Sequence, residues 1–493
     1  MKTCKLFVSP SVGFNFLRAV LAVVIFGASL AGCGSGTQTG GTPPAAKTTQ
    51  VVVLLTSTAN DQLVGFNAPI ASISLTNSAG TPVSIFAGAS DPGANLEWMH
   101  LNGASEPLPA IAVPQGKYTA AVVTVVGCSF TNVTFVAGSV TTSTFAEGLC
   151  SQGTGTTTVH LSGPIVVTGS AMVLSLDLQV SQSFTLTSAS PAVYTISPTF
   201  NLSPVSIAAL PTDETNGKVI GVAGKVMSLN ANADSFTAQT PDGFLLTLNS
   251  NTSTAFQGVG AFTSLTANQL VNFDAAIQSD GSLLATRVEV DDLTAPAAGI
   301  GPFILPVFPP GAFETVTLQI DGCTTIDPFC VGLYQSSGAT VFNISQQFSN
   351  VASLPFPAIF SAATLLQGQN LTVFTPGSTS QQGIPDTTTI TLVPQTLNGT
   401  VSGISNDAGF TVYTVTLAPY DLIPVLQNYT SDTPPPHLTS PTTIVIYADS
   451  NIKQLNSGGA IDVGSLLRFK GLVFFDNGTL RMDANEIYDG VTE

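Results

Sequence analysis

The chain has 493 residues, room for about three or four domains, yet only 8% are charged while 44% are apolar. With 45 Gly and 32 Pro, Ser, Thr, Asn and Gln must build most of the polar surface. That excludes a charge-rich helical protein and favours strands rich in Val, Ile, Thr and Phe joined by Gly/Pro/Asn turns. A formal charge of -17 argues against nucleic acid as a partner and against docking on anionic lipid, since both need basic residues facing phosphate.

Residues 1–18 carry Lys2, Lys5 and Arg18 and no acid. An apolar run, Ala19-Val20-Leu21-Ala22-Val23-Val24-Ile25-Phe26, and then smaller residues follow. A basic start, a short apolar core and a small-residue cleavage zone are the parts of an export signal. The run is too short to span a bilayer, which takes ~20 apolar residues. Leu30-Ala31-Gly32-Cys33 resembles the lipobox of bacterial lipoproteins. The resemblance implies cleavage before Cys33, diacylglycerol on its thiol and an acyl chain such as palmitate on the new amino group. More than one chain on one residue meets the requirement for stable anchoring. The expectation is an exported protein held on the cell envelope, on the outer membrane because Gly34 rather than an acid follows Cys33. Residues 1–32 are then a signal peptide. Residues 33–47, rich in Gly, Thr and Pro, form a flexible tether.

Residues 48–208 read as a β-sandwich. Val51-Val52-Val53-Leu54-Leu55 is a buried strand. Ile73-Ser74-Leu75 and Val83-Ser84-Ile85 flank Asn77-Ser78-Ala79-Gly80, a hairpin signal. Val113-Pro114-Gln115-Gly116-Lys117-Tyr118 leads into a strand over 120–126. Leu174, Leu176 and Leu178 alternate with Ser175, Asp177 and Gln179, the period of a half-buried strand. Together with Leu96, Leu101 and Tyr194-Thr195-Ile196-Ser197-Pro198, these elements are similar to an uncharacterised domain family of bacterial lipoproteins. That family is thought to be a prealbumin-like or immunoglobulin-like sandwich. It has no established activity and implies no site residues.

The remainder repeats itself. Gly217-Lys218-Val219-Ile220-Gly221-Val222 opens one unit and Leu397-Asn398-Gly399-Thr400-Val401-Ser402-Gly403 another. Each continues into a strand (235–239; 409–417) and a Thr/Ser-rich strand (251–256; 447–452). Each closes on a hairpin, turning at Asp280-Gly281 and at Asn477-Gly478. A degenerate copy lies between them, with residues 369–374 and 387–393 in the equivalent places. The units, 214–293, 311–395 and 396–493, resemble a second uncharacterised bacterial family of small OB-like β-barrels. The Pro-rich stretch 295–310 reads as a separator, and 419–441, with Pro434-Pro435-Pro436-His437, as a long surface loop.

Of six cysteines, Cys4 leaves with the signal and Cys33 takes lipid. Four remain, with three connectivities open; local pairs, Cys128 with Cys150 and Cys323 with Cys330, are the simplest in an oxidising compartment. There is no G-x-S-x-G, H-E-x-x-H or phosphate-binding loop. His100, His160 and His437 fall in separate segments and read as isolated. Asp242-Gly243, Asp280-Gly281 and Asp321-Gly322 read as turns. Asp291-Asp292 and Asp483/Glu486 lack a calcium loop. Neither cofactor nor metal is expected. Trp98, the single tryptophan, forms with His100 and Tyr118 a candidate sugar-stacking platform, or else belongs to the core. The function expected is a non-enzymatic envelope lipoprotein, a structural or ligand- and partner-binding module meeting envelope glycan or protein. The alternatives are a carbohydrate-binding or adhesion lipoprotein and an accessory hydrolase.

Overall fold

Strands supply nearly all the regular structure, with one α-helix, Leu422–Gln427, among the described residues. The computed structural model describes residues 47–58, 63–87, 96, 98–101, 104–126, 128–136, 139–145, 154–189, 192–207, 218–295, 297–307, 312–319, 330–346, 351–376, 386–418, 421–427, 440, 442–455 and 459–490. The tether and signal readings, Cys33 included, lie outside them.

The first sixteen strands are β1 (Thr48–Ser57), β2 (Leu63–Asn67), β3 (Ile70–Asn77), β4 (Pro82–Ala87), β5 (Glu106–Pro107), β6 (Ile111–Pro114), β7 (Gly116–Val126), β8 (Ser129–Val136), β9 (Ser139–Phe145), β10 (Thr154–Thr158), β11 (His160–Leu161), β12 (Ile165–Val167), β13 (Ala171–Leu178), β14 (Phe184–Ala189), β15 (Ala192–Ile196) and β16 (Phe200–Val205). One sheet runs β11-β16-β13-β1-β5 with β6 also on β1; the facing sheet runs β10-β7-β3-β4 with β12 on β7. Val51, Val53, Leu55, Leu174, Leu176 and Leu178 from the first sheet meet Ile73, Leu75, Val123 and Val125 from the second in one core. The predicted hairpin forms: Asn77 Oδ1 accepts the N–H groups of Ala79 and Thr81, both at 2.9 Å, and Gly80 takes φ +80°.

An uninterrupted apolar run such as Val51–Leu55 needs two buried faces, and β1 has them. It pairs parallel with β13, Val53 against Leu174 and Val52 against Val173. The odd residues of β1 enter the sandwich core. Val52, Leu54 and Val173 point the other way, into a second core shared with Val219, Val226, Phe236 and Phe273 of the next unit.

That unit is β17 (Lys218–Asn230), β18 (Ser235–Gln239), β19 (Leu245–Asn249), β20 (Ala255–Gln257), β21 (Leu270–Ile277) and β22 (Leu283–Glu289). Its order is β19-β18-β17-β21-β22-β20, and a parallel β19–β22 pairing joins the sheet back on itself. The middle unit is β23 (Ala297–Val307), β24 (Ala312–Gln319), β25 (Cys330–Gln335), β26 (Val341–Ile344), β27 (Asn370–Thr375) and β28 (Thr389–Leu392). Its order, β25-β24-β23-β27-β28-β26, repeats the first strand for strand, and an isolated parallel bridge, Gln335 to Asp386, stands where β19 meets β22. The last unit is β29 (Gln395–Asp407), β30 (Phe410–Leu417), β31 (Thr443–Leu455), β32 (Leu466–Asp476) and β33 (Thr479–Asp489), a closed barrel β29-β30-β31-β33-β32. Here one strand, β31, runs parallel to β33 on both sides of an irregularity between Ala448 and Lys453. In the first unit two short strands do that work, separated by an Asn251–Thr254 turn. The Thr/Ser-rich strand expected over 251–256 is therefore a turn followed by β20.

Two sequence expectations are corrected. The Pro-rich separator is strand β23, antiparallel to β24 and β27. Pro302 and Pro306 stand in register with Asn370 and Phe313, on either side of a β23–β24 register shift between Phe303 and Leu305. The insertion at 419–441 does not begin as a surface loop. It opens with the short helix Leu422–Gln427, whose Ile423 and Leu426 are fully buried. Ile423 joins Leu366 in the core of the last barrel. Residues 428–439, His437 included, lie outside the described residues. Cores are also shared further along: Phe303, Tyr334 and Phe356 of the middle unit pack with Phe410, Tyr447 and Phe474 of the last. Ala46–Glu493 accordingly forms one compact unit.

Candidate functional site

The site grows from a buried tryptophan. Trp98 is 0% exposed; its ring packs on Phe200 with centroids 5.4 Å apart, and its Nε1–H donates to Ala68 O at 3.0 Å. Its backbone is tied as well: Trp98 N–H donates to Phe66 O at 2.8 Å, and Ser57 Oγ donates to Trp98 O at 2.7 Å. The next residues, Met99–Leu101, make a single 3₁₀ turn, so His100 projects from a rigid base. Glu106 lies on β5, opposite Leu55 of the central strand. Its neighbour Ser105 forms an isolated bridge to Ile220 on β17, with Ser105 N–H donating to Ile220 O at 3.1 Å. This bridge binds the sandwich to the first barrel at the level of Glu106.

Asp242 arrives from that barrel. It sits in the β18–β19 turn, closed by Thr240 N–H to Phe244 O and Gly243 N–H to Thr240 O, both 2.9 Å. Gly243 takes φ +88°, a conformation glycine adopts freely. The turn reading of Asp242-Gly243 stands, but the carboxylate has a second role. His100 Nε2 lies 3.4 Å from Glu106 Oε2 and 3.5 Å from Asp242 Oδ2. The three ligand atoms all fall within 4.8 Å of one another. The His100 side chain is 15% exposed, against 1% for Glu106 and 0% for Asp242. Glu106 Oε1 is buried and meets no hydrogen-bond donor among the described residues. A carboxylate so placed is costly unless a compensating charge or donor reaches it.

His100 is thus not isolated, contrary to the sequence reading, and three metal-competent side chains converge where none was expected. Glu106 was not singled out at all. Its only signal is an acid on a strand that must lie against the central β1, a place where charge is seldom tolerated without a purpose. His160 is exposed at the short β11 and joins no such group. The sugar-stacking platform is corrected: Trp98 is in the core, and Tyr118 is 2% exposed with its hydroxyl donating to Pro114 O at 2.8 Å. Neither ring offers a face to a ligand. Cys128 is buried just before β8, whereas Cys150 and Cys323 lie outside the described residues, as does Asp321. Cys330 opens β25.

A second polar cluster links the first barrel to the middle unit. Arg287 donates from Nε to Asp274 (2.8 Å), from Nη1 to Glu289 (2.6 Å) and from Nη2 to Asn272 (2.7 Å). Asp274 also accepts Gly221 N–H at 2.7 Å. Burial pushes the Asp274 carboxyl upward, but the Arg287 charge and the hydrogen bonds outweigh it and hold it below the usual range. Glu289 reaches into the middle unit, accepting from Ser345 Oγ (3.2 Å) and Gln346 N–H (2.7 Å). Asp292 does the same with the hydroxyls of Thr388 (2.7 Å) and Thr389 (2.8 Å). Asp291 is pushed up to about 7, by burial first and then by the neighbouring Glu289 carboxylate. Asp274, Glu289 and Asp292 each accept from named donors, and Asp292 joins the first barrel to the middle unit. No protein-family model matches this chain, and no curated protein matches it either.

Proposed function

We propose that this chain is a non-enzymatic envelope lipoprotein: exported, cleaved before Cys33, lipid-anchored there, and presenting a rigid β-structured body to an envelope partner. The body would comprise the sandwich over 48–208 and three OB-like barrels, as the two family resemblances imply. The observation that carries the reading is interlocking. Adjacent units share cores, through Val52, Leu54 and Val173 at one junction and through Phe356, Phe410 and Tyr447 at another. Buried acids stitch a third, Glu289 and Asp292 across to Ser345, Gln346, Thr388 and Thr389. Units joined in this way hold a surface in fixed geometry, which suits display or bracing better than a cycle of opening and closing.

The cysteines are part of the proposal. Cys128 with Cys150 and Cys323 with Cys330 would form local disulfides, as oxidising compartments favour. Supporting the first pair, Cys128 is buried.

Expression in a bacterial host fed labelled palmitate tests the anchor. The wild-type chain should carry label and sediment with membranes, and Cys33→Ser should lose both. Unlabelled wild-type protein, or label retained by Cys33→Ser, overturns the reading.

A further inference from the structure

We infer that His100, Glu106 and Asp242 bind one divalent transition-metal ion of the zinc class, and that this ion clamps the N-terminal sandwich to the first barrel. The inference stands independently of the lipid anchor.

Zinc holds nitrogen and oxygen ligands at roughly 2.1 Å in a tetrahedron, which sets ligand atoms about 3.4 Å from each other. His100 Nε2 is 3.4 Å from Glu106 Oε2 and 3.5 Å from Asp242 Oδ2. The spacing is long for a hydrogen bond between charged groups, which prefers about 2.7–2.9 Å, and right for two ligands of a common ion.

Both carboxylates are removed from water. A dication with a neutral imidazole matches the charge of the two carboxylates. Glu106 Oε1, buried without a donor among the described residues, gives the carboxylate a second oxygen to offer the same ion.

An imidazole selects against calcium and magnesium, which prefer all-oxygen shells, and suits zinc and its neighbours.

Placement says what the ion does. Two ligands belong to the sandwich and the third to the β18–β19 turn, beside the Ser105–Ile220 bridge. Each ligand stands on an element held by its own contacts, the Trp98 anchor, the β1–β5 pairing and the closed Thr240–Phe244 turn. The ion therefore joins two preformed parts.

The test uses the full chain purified in detergent, stripped of metal with a chelator and titrated calorimetrically with Zn²⁺, with Mg²⁺ and Ca²⁺ as comparison probes. One equivalent of Zn²⁺ should bind and raise the melting temperature, while the other two cations should do neither. Glu106→Gln and Asp242→Asn keep the side-chain shape and each remove one charge; both should weaken Zn²⁺ binding by about 100-fold or more. Should a variant fail to fold, Co²⁺ added to the wild-type chain reads the site directly, through the intense visible absorption of a four- or five-coordinate ion. A folded wild-type chain that binds no stoichiometric Zn²⁺ overturns the inference, as do variants that bind like wild type or a Co²⁺ spectrum unchanged from water. Those outcomes would leave His100 hydrogen-bonded to Glu106 and close to Asp242 with no ion between them.

Discussion

Single residues in this protein often answer to two constraints at once. Gly258 takes φ +74°, and a Cβ there would stand 1.9 Å from Val290 O. Gly80 takes φ +80° with nothing within 4 Å of the added atom. Gly80→Ala meets only the conformational penalty, about 1 kcal/mol. Gly258→Ala adds a backbone collision and should cost upward of roughly 3 kcal/mol. Urea denaturation of the two variants separates these effects; equal losses would mean the Val290 contact is absent. Ala408 is the reverse case. With Gly409 it forms the two-residue turn between β29 and β30 at φ +47° and +91°, a type I′ geometry in which Asn is favoured at the first position. Ala408→Asn should stabilise the protein by about 0.5–1 kcal/mol, read as a higher midpoint at unchanged slope.

At the scale of elements, the short helix Leu422–Gln427 is the sharpest case. A surface loop tolerates truncation to within about 0.5 kcal/mol. Ile423 is fully buried in the last barrel's core, so Ile423→Ala should cost about 2–5 kcal/mol; a loss under 0.5 in thermal or urea unfolding would return it to the surface. Strand β1 shows how far an element is legible in its residues. Five apolar residues in a row announce a strand buried on both faces, and the hairpin at Asn77–Gly80 follows from turn chemistry alone. The first strand of the middle repeat was hidden, because Pro302 and Pro306 suppress the strand signal, although both stand in register with neighbouring strands. The insertion was hidden for a similar reason: six helical residues are too few to display a period.

For the whole molecule, acidity sets a testable trend. Burial, with the Asp449 charge second, pushes the Asp483 carboxyl up to about 7, and Asp483 Oδ2 meets no donor among the described residues. Burial likewise raises Asp177 to about 6, against the pull of hydrogen bonds from Thr56 and Gln179. Folding therefore favours the protonated form of both. Their stabilisation is complete below the ordinary carboxylate value near 3.8 and is lost as pH rises through 6 and 7. Stability should fall between about pH 4 and pH 7, opposite to common acid unfolding. Asp483→Asn should lessen the fall, by on the order of 1–3 kcal/mol; urea midpoints at pH 4.5 and pH 8 check it, and an unchanged slope in the variant removes Asp483 as the cause.

Strand periods, turn residues and the repeat were legible because they are set within a few positions along the chain: alternation marks a face, and Asn-Gly marks a turn. The all-β class and the kinship of the three repeated units follow from that short-range grammar. Only the tertiary structure decided that Val52 and Leu54 cover a neighbouring barrel, that Trp98 is core, and that Asp242 meets His100 and Glu106. Those outcomes depend on which surfaces of distant elements fit together, and complementarity between surfaces leaves no mark at a fixed sequence spacing.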